Sequence, residues 1–190
     1  TDREKALDQV ERDVAFCRDE LGRAIAMLVG TRPATGMSNE DGRKLYGEQL
    51  AKAVERTKGS GVTITIEDFG ALPPFTAAGA HCVEVLEAAN CPELKFTFDN
   101  GNFLFGDDRP TQVFDLFKDR IAHVHIKDAD AAGHWQPLGG GIIPWRELLG
   151  LLDETEYTGW IVAEEESAAA HLDPAGAIRG NRAYLRSLGV

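Results

Sequence analysis

Residues 121–128 read Ile-Ala-His-Val-His-Ile-Lys-Asp. With a period of two, Ile121, His123 and His125 share one face, and Ala122, Val124 and Ile126 share the other. The second face is small and apolar, suited to packing against helices. The first carries two imidazoles in successive layers, and Lys127 and Asp128 follow where the strand should end. Two histidines on one face of a short strand are costly to bury without partners. They either ligate something or hydrogen-bond something acidic.

The flanking segments supply acidic groups at matching places. Residues 62–67 alternate, with Val62, Ile64 and Ile66 opposed to Thr63, Thr65 and Glu67. Residues 94–99 do the same, with Leu94, Phe96 and Phe98 opposed to Lys95, Thr97 and Asp99. In 160–164, Trp160, Val162 and Glu164 share a face, and Ile161 and Ala163 oppose them. The apolar run 24–29 reads as a fifth, buried strand. Helical spacing of apolar residues predicts helices over 2–21, 40–58, 76–90, 110–118 and 144–152, and another after Pro174. Ser38 or Asn39 would cap the second of these, and Pro144 suits the first turn of the fifth. Loops are predicted over 30–38, 68–75, 100–108 and 129–143, the last containing three consecutive glycines, Gly139 to Gly141.

Strands alternating with helices imply parallel strands joined by right-handed crossovers. In a doubly wound sheet, helices cover both faces, and strands are apolar on both. Here the last four strands each have one apolar face and one face with polar groups toward the C-terminal end. That pattern predicts an α/β fold of the TIM (β/α)8 type, whose inner face becomes a site at the barrel mouth. All strands are expected in one parallel sheet, in sequence order. A full barrel takes eight units and about 250 residues, whereas five units are visible in 190 residues. The chain is therefore expected to be one domain, 1–190, holding the C-terminal five units as an open arc with edges at 24–29 and 160–164. The first three strands are not in this sequence, which begins at Thr1 rather than at Met.

Composition narrows the function classes. With 43% hydrophobic residues the chain can build a core. No apolar run spans a membrane, and no signal peptide opens the sequence. A net charge of −11 opposes phosphate-backbone binding, so no nucleic acid is expected as a partner. Cys17, Cys82 and Cys91 have no metal-type spacing and cannot all pair, which fits a cytoplasmic location.

Glu67, Asp99, His125 and Glu164 thus lie at or near the C-terminal ends of four successive strands, each on the face away from the helices. Taken singly, an acid at a strand end is ordinarily solvated or caps a helix, and His123 alone reads as a packed histidine. Taken together, three carboxylates and an imidazole at one mouth would repel and shift one another unless a cation sat among them. Oxygen-rich ligation with one nitrogen suits Mn²⁺ best, with Mg²⁺, Co²⁺ or Zn²⁺ as alternatives. Glu164, Glu165 and Glu166 form a run, and parity selects Glu164, which shares a face with Val162.

The order TIEDFG (65–70), TFDNGNF (97–103), HVHIKD (123–128), GGGIIPW (139–145) and YTGWIVAEE (157–165) resembles the sugar phosphate isomerase/epimerase family. These are xylose isomerase-like TIM barrels related to the apurinic endonucleases. The resemblance covers nearly the whole chain, and HVHIKD and GWIVAE are its most specific parts. It implies metal ligation by Glu67, Asp99, His125 and Glu164, with Glu67 and Glu164 as the acid/base pair. Two positions depart from keto-sugar epimerases in the family: Asn102 stands where they place a histidine, and Pro73 where they place a substrate-contacting glutamate.

The expected chemistry is a metal-dependent isomerisation or epimerisation of a sugar, sugar phosphate or keto-polyol. One glutamate removes a proton next to a carbonyl, an enediolate forms, and a proton returns. Asn102, His123 and Lys127 are expected to contact substrate, and Asp128 to orient Lys127 or a ligand imidazole. Phe69, Phe103, Trp135 and Trp145 read as site walls or as simple packing. The rival readings are a dehydratase of a cyclic keto-polyol of the inosose or dehydroshikimate type, which shares the first proton abstraction, and a non-catalytic barrel fragment. A homo-oligomer or a partner chain would complete the barrel.

Overall fold

The computed structural model describes residues 2–22, 24–29, 33–68, 78–106 and 109–190. Helix α1 (Asp2–Asp19) leads into strand β1 (Ile25–Leu28), then α2 (Asn39–Arg56), β2 (Thr63–Glu67), α3 (Gly79–Ala89) and β3 (Lys95–Asp99). A 3-10 turn (Asn102–Gly106) and α4 (Pro110–Phe117) precede β4 (Ile121–Ile126). Two short strands follow, β5 (Asp128–Ala129) and β6 (Trp135–Gln136), then α5 (Trp145–Glu154), β7 (Ile161–Ala163), α6 (Ala168–Leu172) and α7 (Pro174–Leu188).

Local chemistry sets the boundaries. Ser38 caps α2 by accepting from the Asp41 N–H at 3.0 Å. Asn90 ends α3 in the left-handed region, φ 45°. Asp173 caps α7, accepting from the Gly176 N–H at 2.9 Å, with Pro174 in the first turn. Pro144 stands at the cap position of α5, one residue before its first helical turn.

The main sheet has five parallel strands in the order β1-β2-β3-β4-β7, without reversal. This is the half-barrel that alternating parity predicted, and β1 and β7 are its edges among the described residues. The expectation of a single, wholly parallel sheet is corrected at one place. β5 and β6 pair antiparallel, Asp128 with Gln136 and Ala129 with Trp135, as a separate ribbon inside the glycine-rich loop.

The core lies between the sheet and its helices. Of the residues assigned to the helix side, Ile64, Ile66, Leu94, Phe96, Phe98, Val124 and Ile126 are buried, whereas Val62, Ala122 and Ile161 are half-buried and Ala163, on the edge strand, is exposed. Phe96 stacks on Phe117 with ring centroids 4.1 Å apart, and Phe98 meets Phe114 edge-on at 5.4 Å. Burying each such ring contributes about 2–3 kcal/mol. Phe103 is fully buried in the same cluster, and Trp145 is buried against Tyr184, so both belong to packing. On the opposite face Thr65 and Thr97 meet hydroxyl to hydroxyl at 2.8 Å, a small polar floor beneath the strand ends.

Candidate functional site

The register of the strands delivers the site. Thr97 pairs with His123 and Asp99 with His125, while Glu67 stands beside Thr97 across β2 and β3. The Glu164 N–H donates to the Ile126 carbonyl at 3.0 Å, which holds the residue after β7 against the end of β4. Glu67, Asp99, His125 and Glu164 therefore converge, each offering a ligand atom within 4.8 Å of the other three. Three carboxylates and one imidazole, two of the four residues buried, are a donor set that fits a divalent cation.

The individual contacts are tight. His125 Nδ1 lies 2.6 Å from Glu67 Oε1 and 3.5 Å from Glu164 Oε2. Asp99 Oδ1 accepts from the N–H groups of Gly101 at 2.8 Å and Asn102 at 3.1 Å, leaving Oδ2 aimed into the site. Lys127 Nζ sits 3.0 Å from Asp99 Oδ2, 2.8 Å from Glu164 Oε2 and 2.9 Å from Glu166 Oε2. It also lies 4.9 Å from the centre of the Trp135 ring, which the β5–β6 ribbon carries over it.

These charges act on one another. Burial would lower the His125 imidazole, but hydrogen bonds to Glu164 and Glu67, with their charges, push it up to about 10. Burial would likewise lower Lys127, but the charge of Asp99 and the bonds to Glu164 and Glu166 raise it above its ordinary value. Glu164 is held down to about 2, mainly by the His125 hydrogen bond, against burial. Burial raises Asp99 to about 7, with Lys127 pulling the other way. Burial also lowers His123, whose Nδ1 has no hydrogen-bond partner among the described residues and whose ring meets that of His125 edge-on at 5.0 Å.

The other expected site residues are placed as follows. Asn102 donates from Nδ2 to the Asp68 carbonyl at 2.9 Å, and its Oδ1 lies 3.5 Å from Lys127 Nζ. Asp128 was expected to orient Lys127 or an imidazole. Instead its carboxylate accepts from the N–H groups of Gly139, Gly141 and Ile143 and from Trp145 Nε1, at 2.9 to 3.3 Å. It pins the glycine-rich loop, because a buried carboxylate is satisfied by the N–H groups that converge on it. Phe69 and Pro73 lie outside the described residues.

Three residues at the site went unread in the sequence. Asn100 is fully buried and grips the backbone of Lys127 twice, donating from Nδ2 to its carbonyl at 2.8 Å and accepting from its N–H at 3.0 Å. It continues the β3–β4 ladder with a side chain, which no periodicity announces. Asp68 is fully buried, with no side-chain or well-formed hydrogen-bond partner for either oxygen among the described residues, and burial together with the charges of Asp99 and Glu67 holds it well above the usual carboxylate range. Glu166 reaches Lys127, and its parity with Glu164 was the available signal.

Comparison with known proteins agrees with this architecture. An inosose dehydratase of Clostridium beijerinckii is 27% identical over 107 residues, 47% of this chain and 36% of that protein. The chain thus matches only about a third of that relative's length. A 3-keto-D-glucoside 4-epimerase from E. coli superposes with a TM-score of 0.76 at 21% identity, over 95% of this chain and 70% of the other. The IOLI protein, solved with a bound zinc atom, gives 0.76 at 17% identity, over 95% and 68%. At such identities the two structures speak for the fold alone. The family profile described as xylose isomerase-like TIM barrel matches residues 1–188. A match along that length, on a sheet of five sequential parallel strands, means that the chain belongs to the xylose isomerase-like TIM barrel family.

Proposed function

We propose that this chain carries the metal-binding and proton-transfer site of an enzyme acting on a sugar, sugar phosphate or related keto-polyol, and that residues 1–190 form one domain holding five units of the barrel. The observation that carries the reading is the convergence of Glu67, Asp99, His125 and Glu164 from four consecutive sheet strands. These four residues would hold one divalent cation, Mn²⁺ by the balance of oxygen and nitrogen donors. Such a cation, when bound, supplies the charge that polarises a substrate carbonyl and acidifies the neighbouring C–H.

Proton transfer falls to the glutamates. Glu67 stands at the end of β2 and Glu164 just after β7, the outer two of the four contributing strands. A carboxylate on either side of a planar enediolate is what inversion at a carbon requires, and one carboxylate moving a proton between adjacent carbons is what isomerisation requires. His123, Asn102 and Lys127 line the same mouth and would orient the hydroxyl groups. Asn102 must exchange its contact with the Asp68 carbonyl for substrate to do so.

A second reading, dehydration of a cyclic keto-polyol, is favoured by the inosose dehydratase similarity. It begins with the same proton abstraction and then expels hydroxide instead of reprotonating. Incubation of the protein with keto-sugars and with inosose in deuterated water separates the readings. Deuterium gained without loss of water supports isomerisation or epimerisation, and loss of water supports the lyase. The variants test the site itself. Glu164→Gln should abolish exchange while retaining metal through three ligands, His125→Gln should lower metal content after dialysis, and His123→Asn should be milder than either. A folded wild-type protein that holds neither Mn²⁺ nor Co²⁺ would refute the reading.

A further inference from the structure

The contacts of Lys127 bear on the same metal site and go beyond its ligands. Asp99 has one oxygen committed to two backbone N–H groups, so Oδ2 is the atom left to serve a cation. That same oxygen lies 3.0 Å from Lys127 Nζ. Glu164 Oε2, facing His125 at 3.5 Å, lies 2.8 Å from Lys127 Nζ as well. A side chain that is only 5% exposed thus puts its ammonium against two of the four ligands. A divalent cation bound by those oxygens would face a like charge at close range, a repulsive arrangement that the buried Asp99 side of the cluster screens least.

A retreat is built next to it. Glu166 Oε2 lies 2.9 Å from the same Nζ and is not among the four ligands, and Asn102 Oδ1 lies 3.5 Å away. The Trp135 ring adds a face that accepts a cation. The backbone of Lys127 is held by Asn100 on both its N–H and its carbonyl, which leaves any displacement of the ammonium to the side chain.

We propose that Lys127 is a resident counter-cation of the metal site: it neutralises Asp99 and Glu164 when no metal is bound, and withdraws to Glu166 and Asn102 when a metal enters. Lys127 therefore weakens metal affinity, and Glu166 restores part of it by holding the withdrawn ammonium. This rests on the four-residue metal reading above. It assigns the Glu164–Glu166 spacing a purpose: one carboxylate ligates and the next on the same side receives the lysine.

The test reads metal affinity and needs no turnover. Mn²⁺ binding to the intact protein is titrated calorimetrically for wild type, Lys127→Met, Glu166→Gln and the double variant. Removal of a like charge at this distance should tighten Mn²⁺ binding by about ten-fold or more in Lys127→Met. Glu166→Gln should weaken binding in wild type and do so by less than half as much, on a logarithmic scale, in the Lys127→Met background. Should Lys127→Met misfold, the wild-type protein with ¹⁵N-labelled lysine serves, since the Lys127 ammonium resonance must shift on saturation with diamagnetic Mg²⁺. Unchanged or weaker Mn²⁺ affinity in folded Lys127→Met, an undiminished Glu166→Gln effect in the double variant, or an unmoved resonance at Mg²⁺ saturation would each overturn the proposal while leaving the metal site standing. Failure of wild type to bind Mn²⁺ would remove both.

Discussion

At His125 two opposing effects meet: burial disfavours the imidazolium, and hydrogen bonds to Glu164 and Glu67 favour it more, so its pKa rises to about 10. A metal ligand must be a neutral imidazole, so at pH 7 an entering cation displaces a proton. The sign follows: affinity should increase with pH, by about ten-fold per unit between pH 7 and 10, with about one proton released per ion. Calorimetry in buffers of different ionisation heat measures that release, and none at pH 7–9 would mean His125 does not ligate. The same shift acts on the metal-free fold. A pKa raised from 6.5 in the unfolded chain contributes stability that is full below 6.5 and lost as pH rises toward 10. Asp99, raised from 3.8 to about 7, erodes stability in the same direction over the lower window. Denaturation midpoints of the metal-free protein should therefore fall between pH 5 and 10, and added Mn²⁺ should flatten the decline.

The elements divide into those that sequence periodicity announces and those that it cannot. Strands β2, β3 and β4 alternate over five or six residues, long enough for Ile66, Phe98 and Val124 to declare the helix side and Glu67, Asp99 and His125 the other. The positions of three of the four candidate ligands were legible for that reason; Glu164 follows the three-residue β7, and only its parity with Val162 pointed to it. The β5–β6 ribbon has two residues per strand, and α6 has five residues in all, too few for any period to show. Tertiary contacts hold the ribbon and its loop, chief among them the Asp128 carboxylate joined to Gly139, Gly141, Ile143 and Trp145, with Asn181 accepting from the Leu138 N–H. A residue read as orienting Lys127 or a ligand imidazole anchors the glycine-rich loop instead. Asp128→Ala should destabilise the protein by about 2–4 kcal/mol, because several buried N–H groups lose a charged acceptor together. Gly141→Ala attacks the same contact sterically, since its Cβ would fall 2.2 Å from both the Ala129 carbonyl oxygen and Asp128 Oδ1. Denaturant unfolding measures both, and an Asp128→Ala protein as stable as wild type would show that the loop holds itself.

At the scale of the molecule, the five-stranded sheet has a centre and two edges. β3 lies between β2 and β4 and its phenylalanines are fully buried, whereas β1 bonds to β2 on one side and β7 to β4 on one side. Trp160, just before β7, is 73% exposed, and Val162 within it is also exposed. Open strand edges offer unpaired N–H and C=O groups and invite further pairing. Amide exchange should report this directly. In these 190 residues alone, the β1 amides that do not bond to β2, and the β7 amides that do not bond to β4, should exchange at nearly unprotected rates. The β3 amides should exchange only through global unfolding. In a polypeptide that adds three more βα units on the β1 side, the eight-stranded closure would pair both edges, and protection at β1 and β7 should rise toward that of β3. Metal affinity should change far less between the two forms, because Glu67, Asp99, His125 and Glu164 all come from strands already present. Uniform protection from β1 to β7 in the 190 residues alone would mean that the arc closes on itself or on a second copy. Sedimentation of the same sample distinguishes those two outcomes.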